Sequence, residues 1–319
     1  MILSTEQELR LYAPNNAVDD VTIWAGFLDE SEKDFLADKL GSELYNRLCE
    51  FYANLDKNVY YENVVDGTYK IDPWQVLLRN AQVMVVNYTL YRNYFSLVLS
   101  VNGVSINVSQ TKDFGNADER LLDKSVQEYK VKAFTNLNTL LSDLEAWAKD
   151  AERGEEVEEI VSLWKQSHYY FEHADLLIPT CNVLMRFIDI RESREKFIRL
   201  LPDLRFIQDE YIEESFGEGL ISDLLKEKEE DKKLLRKVRR LIVALLEQRT
   251  TVLTIDKVRR QQAHDESISL KEQILSILKA REEEKEEEKT EDPNDSNKDD
   301  KGYKNNKAGS RIFVSPLLY

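Results

Sequence analysis

The side chains best suited to metal binding or nucleophilic attack are few: three histidines, His168, His173 and His264, and two cysteines, Cys49 and Cys181. His168 and His173 are five residues apart, which on a helix separates them by about 140° instead of placing them on one face. A metal site there would need carboxylates folded in from elsewhere, and the chain has neither an HExxH motif nor a CxxC pair. Gly217-Glu218-Gly219 breaks two apolar runs without a preceding strand or a following Lys-Ser/Thr, so it reads as a helix stop and not as a phosphate loop. With 60 Asp+Glu in the chain, neighbouring carboxylates carry no information about acid–base catalysis. The basic cluster Lys232, Lys233, Arg236, Lys237, Arg239 and Arg240 lies on one face of an amphipathic helix, and Glu227, Glu229, Glu230 and Asp231 stand ready to pair with it. No catalytic, cofactor-binding or metal-ligating residue is expected, and no cofactor.

Composition sets the frame for these residues. The chain has 319 residues, 44 Lys+Arg against 60 Asp+Glu, a net charge of −16, and only 10 Gly and 6 Pro. Such a balance favours long helices over a turn-rich β fold and argues against a nucleic-acid groove as the main surface. Two cysteines without CxxC spacing fit a reducing compartment and two small buried side chains, and so synthesis in the cytoplasm. The N-terminus shows no secretory pattern, and the longest uncharged stretch, 93–111, is interrupted by Asn102-Gly103 and is not a membrane span.

The expected elements follow from period and punctuation. Ser4 and Gln7 suggest a capping box on a short helix ending before Pro14. A longer helix runs over 19–40 and stops at Gly41, the residue suited to a left-handed cap, and a third starts at Leu44. Residues 54–72 are polar and aperiodic. Asp72-Pro73 opens a helix to about Phe95 whose middle, Val83-Met84-Val85-Val86, is apolar nearly all round, as at the centre of a bundle. Val98, Leu99 and Val101, then Val104, Ile106 and Val108, flank Asn102-Gly103, a hairpin signal. Helix resumes over 118–148, then Pro179 opens another and Ser193 caps a segment to Ser215 that Pro202 should kink. A last helix is expected over 267–287.

An offset of 176 residues aligns apolar positions of 2–48 with 178–224 and places Gly41 on Gly217. A shorter offset of 157 superposes Leu77-Leu78-Arg79 on Leu234-Leu235-Arg236. The expected fold is therefore mainly α: two tandem helical-bundle repeats, 1–150 with one small β-hairpin near 98–108 and 157–288, followed by a disordered acidic C-terminal tail, 289–319. Residues 282–300 hold eleven acidic residues and three lysines, net −8, while 301–319 carry four basic residues. The closing apolar stretch reads either as a docking segment or as a piece that packs back on its own body. The expected partner-binding residues are Val101, Asn102, Gly103 and Val104 of the hairpin, and Arg311, Ile312, Phe313, Val314, Pro316, Leu317 and Tyr319 of the terminus.

Phe35-Leu36, Leu40-Gly41, Leu44-Tyr45, Val101-Asn102-Gly103-Val104, Trp164, Ser167-His168-Tyr169, Ile178-Pro179-Thr180, Ser193-Arg194 and Phe197 together resemble an uncharacterised, mostly helical family of Bacteroidetes bacteria, their prophages and phages. The first three helices also resemble the helical adaptors beneath a phage portal. These resemblances imply a non-enzymatic structural component of a phage or prophage particle, above all a head–tail connector or neck adaptor subunit. Its partners would be copies of itself in a ring and neighbouring portal or neck proteins, with no sequence-specific nucleic acid and no membrane. It would be made in the bacterial cytoplasm and carried in the virion. The alternative is a soluble cytoplasmic interaction or assembly factor.

Overall fold

A computed structural model describes residues 1–13, 21–102, 105–108, 119–191, 193–217 and 219–290, and it is mainly helical. The expected sites Gly103, Val104 and 311–319 lie outside these residues. Contacts divide the chain into two compact units, Met1–Leu270 and Lys271–Tyr319. The boundary expected near 150–157 therefore runs inside the first unit.

The chain opens with α1 (Glu6–Tyr12) and α2 (Val21–Ser31), which continues through a π-helical segment (Glu32–Ala37) and α3 (Asp38–Leu40) to Gly41. Next come α4 (Ser42–Asn54), α5 (Lys57–Asp66), a short 3-10 turn (Thr68–Ile71) and α6 (Pro73–Val98). Strands β1 (Leu99–Asn102) and β2 (Ser105–Val108) pair antiparallel, with Val101 opposite Ile106, and lead to α7 (Glu119–Lys149). After α8 (Glu155–Trp164), α9 (His168–His173) and α10 (Cys181–Leu184), α11 (Arg194–Phe206) passes through a second π-helical segment (Ile207–Glu213) into α12 (Glu214–Phe216). Finally α13 (Leu220–Leu224), α14 (Lys232–Arg249) and α15 (Lys257–Thr290) follow.

The core of the first unit is built on α6 and α7, whose mutual contact is the most extensive between any two elements. Asn80 meets Asp143 and Tyr94 meets Tyr129, so the two helices run antiparallel. Leu77, Leu78, Ala81, Met84, Val85 and Val86 of α6 and Leu137, Leu140, Leu141 and Leu144 of α7 are all buried. Removing this apolar area from water stabilises the pair by about 25 cal/mol per Å². Asn80, Gln82, Asn87 and Thr89 are buried as well, which fits a helix surrounded on all sides. Each has a hydrogen bond: Thr89 donates to Ser31 at 2.8 Å and Asn87 to the Val83 carbonyl at 2.7 Å.

Local chemistry corrects several sequence expectations. The first cap is Thr5 and not Ser4: the Thr5 hydroxyl accepts from the Glu8 N–H, and Glu8 answers to the Thr5 N–H, because Glu8, not Gln7, stands three residues on. Ser4 bonds Tyr52 instead. Within 54–72, Asp56 caps α5 by accepting from the Asn58 and Val59 N–H groups. Pro179 precedes the cap, which is Thr180. The helix beginning at Arg194 continues past Pro202, whose ring is accommodated in it, and its register changes only at the π segment five residues later. The last helix starts ten residues earlier than expected, where Asp256 accepts from the Arg259 N–H. Cys181 is buried but Cys49 only half so.

Gly41 ends its helix at φ 80° and ψ 158°, an extended backbone of positive φ and not the left-handed cap expected. A Cβ there would sit 2.7 Å from the Ser167 Cβ and 2.9 Å from its Cα. Gly217 repeats the backbone, at φ 93° and ψ 158°, but faces open space. Gly41→Ala should thus cost backbone strain plus a clash with the α8–α9 turn, roughly 2–4 kcal/mol, and Gly217→Ala the strain alone, about 1–3 kcal/mol. Urea denaturation of the two variants checks this ranking; equal losses would mean that Ser167 yields freely.

Candidate functional site

Three arrangements of polar side chains stand out in the first unit. The first is a buried ion pair. Arg194, the first residue of α11, has no exposed surface and donates to both Glu145 carboxylate oxygens at 2.5 and 3.2 Å. It also donates to the Asn138 amide oxygen at 3.0 Å, the Ser142 hydroxyl at 3.3 Å and the Tyr169 hydroxyl at 3.4 Å. Asn138, Ser142 and Glu145 follow one another at helical spacing on α7, forming a polar stripe beside the leucines. Burial opposes the Arg194 charge, yet Tyr169 and the Glu145 carboxylate hold its pKa above the ordinary arginine range. The group is a satisfied structural cation without a free donor aimed at solvent.

The second arrangement holds the segment before α1. Ile2 and Leu3 are fully buried. The Ile2 N–H donates to Glu32 of the first π segment at 3.0 Å, Tyr45 donates to the same carboxylate at 2.8 Å, and the Ile2 carbonyl accepts from Gln82 at 2.7 Å. Burial raises the Glu32 pKa, against the Met1 ammonium and the Ile2 N–H. A parallel contact recurs before α10, where the Leu177 N–H donates to Gln208 of the second π segment at 2.7 Å. Both are anchors for chain segments, so these carboxylate and amide groups have structural duties.

The third arrangement is a pair of clefts. One, of about 560 Å³, is lined by Asp38, Lys39, His168, Tyr169, Glu172, Ile198, Leu201, Pro202 and Arg205. His168 on its rim is exposed and lies 3.4 Å from Glu172. The other, of about 670 Å³, is lined by Arg186, Phe187, Glu227, Lys232, Leu235, Arg236, Arg239 and Arg240. Part of the pairing expected for this basic cluster is present: Lys232 meets Glu229 at 2.5 Å, and Arg239 meets Glu227 at 2.7 Å. Arg240 instead reaches Glu266 of α15 at 2.7 Å.

His168 and His173 share α9 but differ in environment, one exposed and the other 3% exposed; His173 Nδ1 lies 2.6 Å from the Tyr169 carbonyl. Burial pushes His173 down to about 4. Among the described residues no group of three or more His, Cys, Asp or Glu is placed to hold a metal, and no helix is long and apolar enough to cross a membrane. Of the expected partner residues, Val101 and Asn102 lie on β1 at the end of α6. Sequence reasoning missed Arg194, Glu145, Asn138, Ser142, Glu32, Gln82 and Gln208; the spacing of the three polar residues on α7 was the available signal. Comparison with protein-family models, curated proteins and solved structures gives no match.

Removing one member of the buried ion pair strands the other. Arg194→Met should destabilise the protein by about 3–5 kcal/mol, while the double change with Glu145→Leu should recover much of it. Chemical denaturation of the single and double variants reads this, and a double variant no more stable than the single would show that the pair is not the seam. For His173, the folded pKa of about 4 lies below the unfolded 6.5. The unfolded chain binds the extra proton, so this contribution is complete above pH 6.5 and is lost as pH falls toward 4, by up to about 3 kcal/mol. His173→Gln should flatten the stability curve over that window relative to the native chain; parallel curves would contradict the buried neutral ring.

Proposed function

We propose that this chain is a non-enzymatic structural component of a phage or prophage particle, a head–tail connector or neck adaptor subunit working by helix packing between copies. The observation that carries this reading is the long α6–α7 pair. At 1.5 Å per residue, the 26 residues of α6 span about 39 Å and the 31 of α7 about 46 Å. Their buried stretch ends near Leu90 and Ala133, and the described side chains beyond are half-buried or exposed, Val131 at 66%. The pair thus extends past its core as an arm, with a kink at Asn93 and the β1–β2 pairing at its tip.

An arm of this kind suits insertion into a neighbouring subunit, since a two-stranded ribbon leaves backbone donors and acceptors on both edges for a further strand. The hairpin expected near 98–108 belongs to this proposal, as does docking by 311–319. The ionisable groups nearest the core support a role without catalysis, because Arg194, Glu145, Glu32 and Glu8 are all engaged in holding the chain together.

Duplication belongs to the same reading. Thr5 and Thr180 cap the helix after each anchored segment, Glu32 and Gln208 anchor it from a π segment, and Gly41 and Gly217 stop the helix 176 residues apart with matching backbone. Two related units in one chain fit a subunit that meets neighbours on two sides.

Electron microscopy of the purified chain with the products of its neighbouring genes tests the role. Rings, or added density at a portal or neck, are the expected result. A strictly monomeric chain that binds none of those products, encoded away from portal, terminase and capsid genes, would rule it out.

A further inference from the structure

The basic cleft has an asymmetry that internal pairing does not remove. Its walls bring together Arg186, Lys232, Arg236, Arg239 and Arg240, and with Glu227, Glu229 and Glu266 paired to three of them a local charge of +2 is left in a chain of −16. Lys232, Arg239 and Arg240 have acidic partners, and Arg239 also donates to the Leu177 carbonyl at 2.6 Å. Arg186 and Arg236 are exposed and have no ion pair among the described residues. Buried Leu235 and half-buried Phe187 line the same cleft. Two planar guanidiniums without an ion pair in one cleft suit carboxylates on a peptide, which they can grip bidentately.

We propose that this cleft is an interaction surface for the acidic segment 282–300 of a second copy of the chain; this rests on the reading that copies assemble. Charge complementarity selects the occupant. The segment carries −8 and contains the triplets Glu282-Glu283-Glu284 and Glu286-Glu287-Glu288. Every copy brings one cleft and one segment, so an assembly supplies them in equal number and at high local concentration. A nucleic-acid duplex fits less well, because the −16 field of the chain opposes its approach and only two guanidiniums are free to meet phosphates.

A fluorescent peptide of residues 282–300 tests the contact by anisotropy. It is titrated into the full-length chain with its own acids in 282–300 changed to Gln and Asn, so that only the added peptide supplies the charge. The same chain with Arg186→Glu and Arg236→Glu is the comparison, its circular dichroism verified as unchanged. Binding should weaken roughly tenfold or more in the reversed chain, and also on raising salt from about 50 mM to about 500 mM. In parallel, sedimentation of the wild type should show association that falls with salt and with the double reversal. Equal peptide binding by both chains, or tighter binding of a DNA duplex than of the peptide, overturns the proposal. Self-association that survives the double reversal overturns it while leaving the ring intact. A wild type that is monomeric in every condition and forms no rings by microscopy removes the ring, and the second copy with it.

Discussion

A buried arginine is tolerable only where every donor finds an acceptor and its charge finds a counter-charge, and Arg194 imposes that condition on this protein. It opens α11, where the helix dipole already disfavours a cation, so its place depends on Glu145. Asn138, Ser142 and Tyr169 complete the set, which ties α11 to α7 and to α9 in one geometry. An apolar contact tolerates sliding by a residue; a guanidinium with five hydrogen bonds to four side chains does not. This is a physical reason why the segment after 157 and the segment before 150 share one compact unit.

The π segments impose a second constraint. Each inserts extra backbone ahead of a glycine stop, and each presents one polar side chain, Glu32 or Gln208, to the backbone N–H of a buried segment that precedes a threonine cap. The two differ in charge. Glu32 needs Tyr45 and the Ile2 N–H to offset its burial, whereas the amide of Gln208 satisfies Leu177 and the Asp175 carbonyl with both of its ends. The same anchoring task is met by a carboxyl group in one place and by an amide in the other.

Much of the helical framework was legible because it rests on local chemistry. Asp72-Pro73 and Ser193 announce boundaries through side-chain hydrogen bonds to adjacent backbone, Gly41 announces one through its positive φ, and the C-terminal part of the stripe on α7, from Ala133 to Leu144, is a buried face. What escaped depends on distant partners. Nothing near Glu32 in sequence reveals the Ile2 N–H thirty residues away, and a polar residue such as Gln82 within an apolar helix is uninformative until Tyr60 and the Ile2 carbonyl are placed beside it. The basic cluster on α14 was visible, but which of its cations lacked an acid depended on where α15 put Glu266. The helix α5 was hidden by weak amphipathicity; its Asp56 cap was the overlooked mark.

The Arg194 hydrogen bonds tie α7, α9 and α11 together inside the compact unit Met1–Leu270, so these helices should unfold as one. Native-state hydrogen exchange across a denaturant series measures this directly. The account predicts that amides in the buried parts of α6, α7 and α11 open together, at the free energy of global unfolding. Exchange of α11 at a distinctly lower free energy, while α6 and α7 stay protected, would contradict it and make the two halves separate folding units.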